Sequence, residues 1–288
     1  MKLPVCFLGF GEAGQSFCSD KRWQGEAYGC DVKLEQDDNR LAKLNDFERF
    51  GVKAIEPVDT LSNGSNLILS VVTADQALKA AERVASFLKS GTLYLDMNSA
   101  APTTKQTAAT LMHDKGIDYI DVAIMSPVIP KQLDVPLLLA GVEADLAKSK
   151  LSELGFQNIR IVGEQIGQAS AIKMLRSVMI KGIEALTSEC ALAAHRAGVV
   201  DDVFGSMGES WPSKADYNLD RMMVHGARRA AEMDEVLKTL EDLGVEPLMS
   251  RGTVMRQRAI GSLGFNPPPT NLTKKLEKLD INFDEATK

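Results

Sequence analysis

The chain has 288 residues, 25% of them charged and 44% hydrophobic, with a formal charge of −6 and a pI near 5.3. That length accommodates two domains with sizeable cores, and the acidic balance argues against nucleic acid as a partner. No apolar run approaches the roughly 18 residues of a membrane span, no basic-then-apolar leader precedes the first strand, and Cys6, Cys18, Cys30 and Cys190 show no paired spacing, so a cytoplasmic protein with free, mostly buried thiols is expected.

The chain opens on Pro4-Val5-Cys6-Phe7-Leu8, an apolar run of the kind buried on both faces of a sheet. Gly9-Phe10-Gly11-Glu12-Ala13-Gly14 follows at once, and Gln15-Ser16-Phe17 opens a helix. Strand, G-x-G-x-x-G and helix in that order predict a dinucleotide-binding turn. The first glycine permits the turn, the second admits a pyrophosphate, and the third brings helix and strand together. The helix N-terminus supplies N–H groups for phosphate charge.

Ala27 to Asp31 reads as a second strand ending in an acid, about 20 residues past the first glycine, where a carboxylate binds the adenosine ribose. Asp31 therefore favours NAD over NADP by repelling the extra phosphate. Lys33 and Arg40 nearby can reverse that preference, and Glu35 is a second candidate acid.

Further along, Leu41 to Phe50 has helical spacing, Lys53 to Ile55 is a minor strand, and Leu67 to Val72 is a clear buried strand. A helix capped by Thr73 or Asp75 runs to Leu88. A strand over Gly91 to Asp96 precedes Met97-Asn98-Ser99 and a Pro102-led helix. Asp118 to Ile124, Leu137 to Ala140 and Asn158 to Val162 extend the sheet, with a helix from Glu143 to Leu154. The alternation predicts an α/β domain built on a doubly wound, mostly parallel sheet. Its ligands lie beyond the carboxyl ends of the strands, so Val72, Thr73, Asn98 and Ser99 share a rim with the glycine loop. The loop from Ser126 to Pro136 overhangs the same ends, a position where loops carry function.

The pattern changes at Gly163, which divides the chain into 1–163, the dinucleotide-binding domain, and 164–288, an all-helical domain. From Ile166 to Arg196 one long amphipathic helix carries Ile172, Leu175, Met179, Ile183, Leu186, Cys190 and Ala193 as its apolar stripe. Lys173, Ser177 and Glu184 flank it. Leu219 to Leu243 is a second long helix closed by Gly244, helical signals run on to Ile260, and a charged segment from Lys274 packs or frays.

Among titratable groups, His113 reads as a surface residue and His195 as a helix-end cap. His225, with Arg228 and Arg229 within one turn, is a candidate to touch substrate. No His, Cys and Asp cluster has metal-site spacing. Lys173 follows Gly163-Glu164-Gln165-Ile166-Gly167-Gln168-Ala169-Ser170, small residues that let a helix start close to a neighbouring backbone. Partial desolvation there, helped by Arg176, favours a neutral amine, although a lysine on a helix is also read as a solvated charge.

The glycine loop, Asp96-Met97-Asn98-Ser99, Asp121 to Pro127, and Gly163 to Ser177 occur in an order that resembles the β-hydroxyacid dehydrogenases, which include 3-hydroxyisobutyrate and 6-phosphogluconate dehydrogenases. The chain looks most similar to a branch described as 6-phosphogluconate-dehydrogenase-like NAD-binding proteins. The resemblance implies a Rossmann domain followed by a helical domain that mediates a homodimer, and a nicotinamide cofactor, NAD or NADP. It implies that Lys173 is the general base on a substrate hydroxyl and the general acid in reverse. It also implies that the segment matching Asp121 to Pro127 contacts a substrate carboxylate and that the Asp96 to Ser99 turn, with Asn98 and Ser99, lines nicotinamide and substrate.

The departures bear on the substrate. Ser177, preceded by Arg176, stands where the family has asparagine. Met125 replaces the usual serine in Asp121-Val122-Ala123-Ile124-Met125-Ser126-Pro127, and Ala231-Glu232 replaces a lysine–aspartate pair. Ser126, Arg176 and Arg229 are the candidates for gripping a small anionic substrate, arginine because it binds carboxylate or phosphate with two hydrogen bonds. The expected reaction is hydride transfer between a small β-hydroxy acid and the nicotinamide. Oxidative decarboxylation of a sugar acid, imine reduction and non-catalytic NAD(P) binding are the alternatives.

Overall fold

The computed structural model describes residues 2–56 and 58–285. The chain falls into two compact units, Met1–Lys173 and Met174–Lys288. The first contains strands β1 (Leu3–Leu8), β2 (Gly25–Cys30), β3 (Lys53–Ala54), β4 (Leu67–Ser70), β5 (Leu93–Asp96), β6 (Asp118–Ile124), β7 (Leu137–Ala140) and β8 (Ile159–Gly163). Between them run helices α1 (Glu12–Ser19), α2 (Asp37–Arg49), α3 (Ala77–Ala85), α4 (Pro102–His113) and α5 (Ala144–Leu154).

The strands form one 8-stranded sheet in the order β3-β2-β1-β4-β5-β6-β7-β8. All neighbours are parallel except β6 with β7. Strand order reverses between β1 and β4, the switch point where such sheets bind ligands. The apolar runs make sense of the two faces. Alternate residues point to opposite sides, so Val5, Phe7, Leu67, Leu69, Leu93 and Leu95 pack one layer, while Cys6, Leu8, Ile68 and Tyr94 pack the other. Burial holds the Cys6 thiol well up and pushes Cys18 to about 12 and Cys30 to about 11. Cys190 is exposed.

The second unit is helical. The division falls inside α6 (Gln168–Ala197), which α7 (Val200–Ser206), α8 (Trp211–Asp242), α9 (Leu248–Gly261) and α10 (Leu272–Glu285) follow. The segment from Lys274 packs: Leu276 and Leu279 are fully buried, and Lys275 donates to Asp216 and forms an ion pair with Asp220 on α8. No helix among the described residues is long and apolar enough to cross a membrane.

The apolar stripe of α6 points outward, with Met179 63% and Leu186 56% exposed and Ile172, Leu175 and Ile183 also exposed. The polar strip is the buried one, through Ser177, Lys181, Glu184 and Ser188. Hydrophobic spacing identifies a helix but not which face a single chain covers. Charge pairing decides it here, because each buried ion on α6 meets an opposite partner on α8.

Helices α8 and α9 cross at two glycines. A Cβ on Gly226 would stand 2.5 Å from the Gln257 carbonyl oxygen and 2.7 Å from Gly261 Cα. Neither neighbour is a flexible side chain, so backbone must shift. Gly226→Ala is expected to cost about 1–3 kcal/mol, the usual penalty of overpacking, read as a lower urea midpoint; an unchanged midpoint counts against this close crossing.

Candidate functional site

The glycine loop is held on both sides of one residue, Phe10. Gly9 has φ +81°, donates its N–H to the Cys30 carbonyl at 2.8 Å, and leaves no room for a Cβ, which would meet Val72 Cγ1 at 2.8 Å. Phe10 turns its ring fully into the core, edge-on to Phe47 at 5.1 Å. Its N–H donates to Asp31 Oδ2 at 2.9 Å and its carbonyl accepts from Lys43 Nζ at 2.9 Å. A Cβ on Gly14 would strike the Phe10 ring at 2.7 Å, so the third glycine is needed for this packing.

Gly11 is different. It is the N-cap of α1 with no side-chain capping bond, and a Cβ added to it would meet nothing within 4 Å. Open space therefore lies over the first N–H groups of α1, those at Glu12, Ala13 and Gly14, which have no intrahelical acceptor. That opening fits a phosphate-bearing ligand.

Asp31 follows β2 and caps the turn Val32–Glu35, Oδ1 accepting from the Lys33 N–H at 3.0 Å. A carboxylate has about four acceptor sites, so these two bonds leave capacity for a ligand. A cavity of about 340 Å³ opens beside it, lined by Cys30, Asp31, Leu34, Arg40, Ile55 and Val58 among others. Two cations near this pocket have acidic partners: Arg40 pairs with Glu56 at 2.6 Å, and Arg83 pairs with Glu35.

The rim at the strand ends holds the other predicted residues of this unit. Val72 and Thr73 follow β4, Asn98 and Ser99 follow β5, and Ser126 follows β6. Asn98 is buried. Its Nδ2 donates to Ser70 Oγ at 2.9 Å, while its Oδ1 has no partner among the described residues. Ser126 is half-buried, with its hydroxyl on the Pro127 carbonyl at 3.3 Å. Lys173, half-buried on α6, donates Nζ to Ser99 Oγ. Gly167, six residues earlier, has φ +103°, and a Cβ there would press on Pro102 at 3.1 Å. The helix therefore starts hard against α4.

Beneath this rim lies a charged cluster that sequence reasoning missed. Parallel pairing sets Asp96 of β5 directly opposite Asp121 of β6, two like charges whose juxtaposition is destabilising. Lys105 of α4 lies between them with no exposed surface. Its Nζ is 3.0 Å from Asp121 Oδ1 and 3.5 Å from Asp96 Oδ1, and donates to the Asp96 and Val122 carbonyls at 2.6 and 3.2 Å. Burial alone lowers the proton affinity of Lys105, and the Asp121 and Asp96 carboxylates more than reverse it, so it stays a cation. Tyr119 donates its hydroxyl to Asp96 Oδ2 at 2.5 Å, and burial followed by the Asp96 charge keeps that phenol protonated. Asp121 Oδ2 accepts from the Gly167 N–H at 3.1 Å, the Ser170 N–H at 2.9 Å and the Ser170 hydroxyl at 3.0 Å. It thus caps α6 with a charge that complements the helix dipole. Lys105 gives no signal in the sequence, where it sits among Thr103, Thr104 and Gln106 and reads as solvated.

The remaining predicted residues belong to the second unit. Arg176 is exposed and Ser177 buried on α6, and His225 is half-buried on α8. Arg229 meets a different arrangement from the one expected. It is 7% exposed and grips Glu184 with Nε at 3.1 Å and with Nη2. Glu184 also accepts from Gln257 Nε2 at 2.8 Å. Lys181 pairs with Glu232 at 2.8 Å, and burial is the main cause lowering its proton affinity.

Comparison with known proteins bears on the family and the fold of this chain. Residues 4–131 match the family described as the NAD binding domain of 6-phosphogluconate dehydrogenase, and residues 194–260 match a domain of unknown function, DUF1932. A conserved hypothetical protein from Sinorhizobium meliloti 1021 is 32% identical with a TM-score of 0.74, the match covering 96% of this chain and 97% of that one. The conserved protein MTH1747, of unknown function and described as structurally similar to 3-hydroxyacid dehydrogenases, is 30% identical over 90% of this chain and 97% of its own, with a TM-score of 0.70. A 3-hydroxyisobutyrate dehydrogenase from Salmonella typhimurium shares the fold at 18% identity and a TM-score of 0.68, covering 96% of this chain and 100% of that one.

Proposed function

This chain belongs to the family of NAD-binding proteins related to 6-phosphogluconate and 3-hydroxyacid dehydrogenases, and on that premise we propose that it is an NAD(P)-dependent oxidoreductase of small β-hydroxy acids. The observation that carries the reading is the Lys173 amine set on the Ser99 hydroxyl, on the same unit as an open helix N-terminus at Gly11. Bound nicotinamide supplies the hydride acceptor or donor. The residues of this chain do the rest: Lys173 takes the hydroxyl proton as hydride leaves the carbinol carbon and returns it in the reverse direction. Ser99, Asn98 and Ser126 offer hydrogen bonds to the substrate's oxygens, and its carboxylate makes it an anion.

The N–H groups at Glu12, Ala13 and Gly14 would hold the pyrophosphate, and the cavity beside Asp31 would take the adenosine. The acidic partners of Arg40 and Arg83 support NAD over NADP, since a 2′-phosphate would have to displace them. A second copy of the chain is the occupant assigned to the outward apolar stripe of α6, which leaves Met179 and Leu186 more than half exposed in a single chain. A panel of 3-hydroxy acids with NAD and NADP, followed by nicotinamide absorbance, tests the reading. The expected result is reduction of NAD by a short-chain acid without release of carbon dioxide. Tight dinucleotide binding with no turnover on any acid or its keto partner would overturn it.

A further inference from the structure

We propose that Lys105 is a positioning residue for the Lys173–Ser99 pair, acting through the two carboxylates it joins. The inference rests on the reading of Lys173 as the proton-transfer group. Each member of the pair is placed by one carboxylate of the buried cluster. Asp96 Oδ1 accepts from the Asn98 N–H at 2.9 Å, which fixes the turn carrying Ser99. Asp121 Oδ2 gathers the Gly167 and Ser170 donors, which fixes the first turn of the helix carrying Lys173. Lys105 Nζ contacts both acids and the Asp96 main-chain carbonyl, so it bridges the two supports that strand pairing sets side by side.

Stability alone does not account for such a cluster. Replacing a buried ion group with well-packed apolar side chains is often neutral or favourable. Here two carboxyl groups and one ammonium are all at most 1% exposed. What the cluster provides is geometry: three elements, β5, β6 and α4, share one buried centre, and both active groups lie one short step from it. A misplacement of about 1 Å at reacting groups costs about 100-fold in rate, and loss of groups that orient reactive residues commonly costs about 10- to 100-fold.

The test compares the full chain with Lys105→Met and with Ser170→Ala, which leaves the ion cluster intact and removes one of the three donors to Asp121. Steady-state kinetics are read alongside the rate at which trace acetic anhydride labels Lys173 in the protein without ligand, followed by peptide mass spectrometry. For Lys105→Met, kcat is expected to fall about 10- to 100-fold with KM and dinucleotide affinity within about twofold, and Lys173 labelling to move toward that of exposed lysines. Ser170→Ala should shift both readouts the same way by less. Should Lys105→Met fail to fold, Ser170→Ala decides. A folded variant with unchanged kcat and unchanged Lys173 labelling overturns the proposal. If the unsubstituted protein turns over no acid at all, the dehydrogenase reading fails, and the labelling shift still decides whether Lys105 sets the environment of Lys173.

Discussion

Replacing Lys173 with alanine is expected to leave a folded protein that binds dinucleotide normally and turns over substrate at least about 100-fold more slowly, the usual range for a positioned acid–base group being about 100- to 10,000-fold. The side chain is half-buried and donates to the Ser99 hydroxyl, and it is not among the groups that contact the buried ion cluster's Lys105. The capping bonds of α6 run through Gly167 and Ser170 rather than Lys173. Stopped-flow measurement of hydride transfer, with a fluorescence titration of dinucleotide, separates the two effects. Unchanged transfer would remove Lys173 from the chemistry, and weakened dinucleotide binding would give it a different role.

Gly11→Asp should abolish dinucleotide binding without harming the fold, with Kd raised at least about 100-fold. Gly11 has φ −94°, accessible to any residue, and its missing Cβ faces open space. Aspartate is also among the best N-cap residues, so the variant is expected to melt at or above the temperature of the parent. The carboxylate would occupy the N–H groups meant for phosphate and repel the ligand. Two unit charges about 4 Å apart interact by about 4 kcal/mol at an effective dielectric of about 20. Calorimetric titration with NAD and a thermal melt read the two sides. Normal affinity in this variant would show that the helix N-terminus is not where the pyrophosphate lies. Gly9→Ala is the contrasting control, because φ +81° and the Val72 contact make any loss there a matter of backbone strain.

Much of the first unit was legible because its signals are local. Short apolar runs bounded by Gly, Pro and Asp mark the strands, and β6 and β7 match their predicted limits. The reversed pairing of β7 was not legible, since an apolar run reads alike in either direction. The helical unit was less so. Sequence spacing missed α7 and the first turns of α8, and it located the stripe of α6 without saying which way it faces. The flanking strip of Lys173, Ser177 and Glu184 gives no sign in the sequence that Glu184 meets Arg229. The site shows the same limit. Glycine spacing and the Gly167 lead-in mark places on the backbone, whereas Lys105 acquires meaning only from the register that sets Asp96 opposite Asp121. Pairings between residues distant in sequence carry no one-dimensional signature.

The double hold on Phe10 has a consequence for recognition. A residue whose N–H is tied to Asp31 and whose carbonyl is tied to Lys43, with its ring locked among other aromatics, retains little freedom to surrender when a ligand arrives. The cradle is rigid in advance, and rigidity before association leaves more of the gross attraction visible as affinity. Selectivity among dinucleotides then has to come from the side chains around the adenosine cavity, because the loop itself cannot adapt its shape to the guest.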